Sequence, residues 1–159
     1  MDKLNKLKEA KTKAIQNLEA AEHLLFMSYP VLRNNRLLAS AAENMFLSMT
    51  NSMAYVLYNE RILRRIPPFH ENYESKLRAF ISAVGNRVSE EHIKLMEELK
   101  TITVEHKNSQ MEFSRKEGLV ICSDNYRTRV ISSNLLKEYA AKARAFLKEA
   151  ENLVKNERN

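Results

Sequence analysis

Residues 37–68 read LLASAAENMFLSMTNSMAYVLYNERILRRIPP. Leu38, Ala41, Ala42, Met45, Met49, Met53, Val56, Leu57 and Leu63 recur every three or four positions, the period that puts them on one helical face. The spacing predicts one long helix over 31–65, stopped by Pro67 and Pro68. Ala41 and Ala42 are small enough to let a second helix approach closely. The Met45, Met49, Met53 stripe reads as adaptable core rather than a cofactor box. Phe46, Leu47, Tyr55, Val56 and Leu57 carry the apolar surface round to a second side. Such a helix needs more than one neighbour, so a helical bundle is expected, and with it a symmetric homodimer with a largely apolar interface.

Four further helices follow from the same period. Leu4, Leu7, Ala14, Leu18, Ala21 and Leu25 mark a helix over 3–27, ended by Tyr29-Pro30. Tyr73, Leu77, Phe80 and Ile81 mark a short one over 71–84, stopped at Gly85-Asn86. Ser89 reads as the cap of a fourth, with His92 where a capping-box Glu would sit and with Ile93, Met96, Leu99 and Val104 inward. Leu135, Leu136, Tyr139, Ala140, Ala143, Phe146, Leu147 and Ala150 mark the last, over 133–155. Between them the helical period breaks. Met111 and Phe113 alternate with polar residues, Lys116-Glu117-Gly118 reads as a turn, and Leu119-Val120-Ile121-Cys122 is a short β-rich run. The expected fold is all-α: one domain over 1–159, an antiparallel up-and-down bundle of about five helices with a small β-hairpin inserted before the last.

Composition removes several function classes. Two glycines, Gly85 and Gly118, cannot build a dinucleotide fingerprint or a phosphate-cradling loop, which need the backbone close to phosphate at several positions. The four histidines (His23, His70, His92, His106) show no metal-ligand spacing, and Asp2 and Asp124 are too few for a two-metal site, so no metal and no cofactor is expected. Cys122 lies in an apolar run and reads as a small core residue, not a nucleophile. A lone cysteine, a charged start from Met1 to Lys13 and no long apolar run point to a cytoplasmic protein with no membrane partner. The net charge of +6 suits a phosphate-rich partner, or simply a solvated basic surface.

One constellation carries chemistry. Arg61, Arg64 and Arg65 end the long helix, and Arg65-x4-His70 follows. An arginine can hold a phosphate while a histidine moves a proton, which is metal-free RNA cleavage. Equally, arginines there complement the negative end of the helix dipole while His70 caps the next helix.

Three stretches resemble the HEPN superfamily (higher eukaryotes and prokaryotes nucleotide-binding), in an archaeal-type branch. They are Ala39-Ser40-Ala41-Ala42-Glu43-Asn44-Met45, Pro67-Pro68-Phe69-His70-Glu71 leading to Leu77, and Asn125-Tyr126-Arg127-Thr128-Arg129 before an Ala-rich final helix. Helix order and lengths are similar over nearly the whole chain. The resemblance implies an antiparallel, usually dimeric bundle, and binding of or action on RNA. Catalytic members carry Arg-x(4–6)-His after the third helix. Here that region reads Glu105-His106-Lys107-Asn108, and Arg65-x4-His70 stands one connection earlier. The expected function is therefore a dimerising module that binds RNA or nucleotide through Arg61, Arg64, Arg65, Arg115, Lys116, Arg127 and Arg129. The alternatives are an endoribonuclease using Arg65 and His70, and a structural or protein-partnering bundle.

Overall fold

The structure, a computed structural model, describes residues 2–109, 111–116, 118–123 and 127–158, without the side chains of 156–158. Among these residues the long helices are α1 (Asp2–His23), α3 (Arg36–Ile62), α4 (Tyr73–Val84), α5 (Glu90–Asn108) and α6 (Ser133–Arg158), with a short α2 (Tyr29–Leu32). A π-helical turn, Leu24–Ser28, joins α1 to α2, so the chain does not leave the helix at Tyr29-Pro30. Pro30 sits in the first turn of α2, where no N–H is needed. The helix ends instead at Arg33, left-handed at φ 53°, whose N–H donates to Tyr29 O at 2.8 Å.

Helix α3 is the central element. Leu38, Ala41, Ala42, Met45, Met49, Met53, Val56 and Leu57 are buried, whereas Leu63 lies past the helix end and is exposed. Its faces pack against α1, α4, α5 and α6 of the same chain. Of the wide apolar surface that suggested a dimer, Tyr55, Val56 and Leu57 are buried within one copy, Phe46 is partly covered and Leu47 is exposed. The α1–α3 contact is close: Ser48 Oγ donates to Ala14 O at 2.7 Å across it, between the small residues Ala10, Ala14, Ala41 and Ala42.

Helix α5 turns a different face inward from the one expected. His92, Leu95, Met96, Leu99, Ile102 and Thr103 are buried, while Ile93 is only partly covered and Val104 is exposed. Ser89 makes no side-chain cap. Glu149 of α6 does that work: Oε2 accepts from Ser89 N–H at 3.0 Å, and Oε1 bonds His92 Nδ1.

The expected hairpin is two strands of a three-stranded antiparallel sheet. β1 (Met111–Arg115), β2 (Gly118–Cys122) and β3 (Thr128–Ser132) lie in that order, with Phe113 opposite Val120 and Val120 opposite Val130. One face sends Leu119, Ile121 and Ile131 into the core. The other carries Met111, Phe113 and Val130 outward, and Cys122, on that outer face, is half-buried rather than core. Of the turn residues, Glu117 lies outside the described residues. Gly118 is required by a close approach: a Cβ there would stand 2.1 Å from Ile131 O. No helix among the described residues is long and apolar enough to cross a membrane.

Candidate functional site

The basic residues singled out in the sequence stand at opposite ends of α3. Arg61, Arg64 and Arg65 belong to its C-terminal end, whereas Arg115 and Lys116 lie beside its N-terminal end. A helix of 27 residues separates the two groups by about 40 Å at 1.5 Å per residue.

At the C-terminal end the chain leaves α3 through a left-handed residue, Arg64, with φ 57°. Arg64 N–H donates to Arg61 O at 3.1 Å and Arg65 N–H to Glu60 O at 2.9 Å, the pair of bonds that closes a Schellman turn. That turn folds Arg65 back onto Glu60. Nε meets Oε2 at 3.0 Å and Nη2 meets Oε1 at 3.2 Å, on a carboxylate-bearing residue only 4 % exposed. Arg61 Nη1 donates to Ile66 O at 2.9 Å. His70 is exposed, and Asn72 rather than His70 caps α4, its side chain accepting from Ser75 N–H at 2.8 Å. One of the two guanidinium edges that can take a phosphate bidentately already faces Glu60.

Beside them Glu71 gathers charge from three elements: it accepts from Tyr58 at 2.9 Å and pairs with Lys76 at 3.1 Å and Lys6 at 3.6 Å. Burial pushes its carboxyl up, but the hydrogen bonds from Tyr58 and Lys76 and the charges of Lys76 and Lys6 outweigh it and hold the group below its ordinary value. Burial, then the Glu71 hydrogen bond, pushes the Tyr58 phenol up.

Arg129 is structural as well. It lies on the core side of β3, with Nε 2.6 Å from Glu105 Oε2 and Nη1 on Glu98, and so pins the sheet to α5. The Glu105 hydrogen bond, with the two carboxylate charges, raises its pKa above the usual arginine value. Arg127 is exposed and offers its carbonyl to Ser123 N–H at 2.9 Å. Asn125 and Tyr126, from the stretch quoted with it, lie outside the described residues.

The N-terminal end of α3 is different. Asn35, buried in the link from α2 to α3, holds three groups. Its Nδ2 donates to Arg115 O at 2.8 Å and Gly118 O at 2.9 Å, and its Oδ1 accepts from Tyr29 OH at 2.8 Å. This clamp fixes the β1–β2 turn against the helical tip. A cleft of about 530 Å³ results, lined by Tyr29, Pro30, Arg33, Lys116, Ser132, Ser133, Asn134 and Lys137. Arg33 lies over the Tyr29 ring, 5.9 Å from its centroid, and Lys137 over Phe26 at 5.3 Å. Among the described residues no carboxylate lies within ion-pairing distance of Arg33, Lys116 or Lys137. The cleft can therefore receive an anion without displacing one already there.

Of the cleft's cations, sequence reading found only Lys116. It missed Lys137 because nothing in the sequence of the last helix brings that residue to this end, and Arg33 and the clamp residue Asn35 because it ran 31–65 as one helix. The run Arg33-Asn34-Asn35-Arg36 is the signal that a turn interrupts it. Among the described residues no three His, Cys, Asp or Glu side chains converge as metal ligands would. No family model, curated protein or solved structure matches the chain.

Proposed function

We propose that this chain is a non-catalytic binding module that holds a phosphate-rich polyanion at the end of the bundle where Arg33, Lys116 and Lys137 meet. One observation carries the reading: three cations converge on an open cleft with no described carboxylate paired to them, while Arg65 and Arg129 are both spent on carboxylates. Charges already paired contribute little to capturing a new anion, and unpaired ones release the ligand's counterions on contact. RNA is the polyanion that the HEPN resemblance implies, and it serves as the probe. Filter retention of single-stranded RNA at low salt tests the reading. The triple variant Arg33→Gln, Lys116→Gln, Lys137→Gln loses retention, equally for all sequences, because phosphate contacts position a strand without reading its bases. Retention unchanged in the triple variant would refute the assignment of this end.

Cleavage would need Arg65, one bidentate edge of which is held by Glu60. In EDTA, RNA incubated with wild type stays intact, as it does with His70→Ala.

A further inference from the structure

Beside the cleft stands an apolar ridge. Phe26 is 51 % exposed, Met27 62 %, Val31 80 % and Leu32 65 %, on the same turns whose Leu25 and Tyr29 are buried. Large side chains scattered singly on a surface need no explanation, but four gathered on one tip mark a contact surface. Arg33 follows the ridge in the chain, Lys116 lines the cleft beside it, and Lys137 Nζ lies over the Phe26 ring.

We propose that ridge and cleft together dock this protein on the anionic face of a lipid bilayer. The ridge enters the boundary between headgroups and acyl chains, and a headgroup phosphate occupies the cleft. This rests on the reading that the cleft binds phosphate, and it names the partner. Charge selects among occupants. A second copy docked ridge to ridge about a twofold axis would bring the Arg33, Lys116 and Lys137 of both copies into one interface with no described carboxylate among them to answer the charge. A nucleic acid answers the cations but not the ridge: Met27, Val31 and Leu32 have no ring on which a base can stack, and Lys137 already covers Phe26. A bilayer answers both, because acyl chains accept the aliphatic groups while phosphates meet the cations. The tip is the turn end of the α1–α3 helical hairpin. The missing membrane span, which suggested no membrane partner, bears only on crossing a bilayer.

The test is sedimentation of the intact chain with vesicles of phosphatidylglycerol and phosphatidylcholine, against phosphatidylcholine alone. Wild type sediments with the anionic vesicles only, and each basic residue brought to the surface is worth about fivefold in affinity. The exposed pair Val31→Ser, Leu32→Ser keeps the fold by circular dichroism, loses vesicle affinity at least about tenfold through the lost apolar burial, and retains RNA as before at low salt. Arg33→Gln with Lys137→Gln weakens both. The chain has no tryptophan, so Val31→Trp reports directly: its emission shifts to the blue on anionic vesicles. Failure of wild type to sediment, full vesicle binding by the serine pair, or an unshifted emission from the Val31→Trp variant overturns the lipid proposal. If RNA retention still depends on Arg33, Lys116 and Lys137, the polyanion reading survives that failure; if it does not, both fall. Light scattering that shows the serine pair turning a dimer into a monomer would assign the ridge to a second copy and also overturn the proposal.

Discussion

Arg64 and Arg65 show how a short spacing in sequence misleads about a site. Arg65-x4-His70 was readable as a phosphate-holding pair, but the partner of Arg65 lies five residues the other way. The left-handed Arg64 brings Glu60 under its successor, and no spacing rule announces that. Two substitutions follow. Arg64→Gly removes the strain of a left-handed non-glycine residue and raises unfolding free energy by about 1 kcal/mol in urea titration. Arg65→Ala leaves the buried Glu60 carboxylate without this partner. Full burial would cost about 3–5 kcal/mol, but Arg65's own side chain is 42 % exposed, so about 1–2 kcal/mol is expected. Glu60→Gln in the Arg65→Ala background recovers most of that loss, since it removes the stranded charge. Asn35 was equally hidden, because its partners lie 80 and 83 residues away. Asn35→Ala strands two carbonyls and a phenol and costs about 2–4 kcal/mol, read by denaturant midpoint at constant slope.

At the scale of elements, period 3.6 revealed the long helices and most of their buried faces. It failed on α5, where Ile93, Met96, Leu99 and Val104 compete with Leu95, Met96, Leu99 and Ile102. The two sets differ by a small rotation, and packing against α3 and α6 chooses the second. β3 escaped because Arg129 occupies a core-side position, where alternation asks for an apolar residue; its two carboxylates on α5 make that placement tolerable. Gly118→Ala forces β2 and β3 apart at Ile131 O and lowers the melting temperature, with loss of amide-exchange protection in β3. The Glu71 contacts to α1, α3 and α4 make a pH prediction. A carboxyl held below its ordinary value of 4.5 stabilises the fold fully above that value and loses the contribution as pH falls through its folded-state pKa. Stability in acid titration therefore drops below about pH 4.5 with a steepness that Glu71→Gln reduces.

For the whole molecule, the net charge of +6 was readable and its distribution was not. Basic residues that look like one patch in sequence are divided by the length of α3, and carboxylates neutralise Arg129 on β3 and Arg65 at the C-terminal end. Three cations without a described carboxylate partner meet where α2, the β1–β2 turn and the start of α6 converge, three segments far apart in sequence. Most of the apolar surface behind the homodimer expectation finds neighbours within the chain, while Leu47 of α3 stays exposed. The salt dependence of polyanion binding tests the central claim most directly. Three phosphates neutralised on a single strand give a slope of log affinity against log salt near −2, at about 0.7 per contact. The account predicts that Arg33→Gln, Lys116→Gln, Lys137→Gln flattens this slope towards zero while Arg64→Gln leaves it unchanged. A slope kept by the triple variant and lost with Arg64→Gln would place the binding surface at the other end of α3 and contradict it.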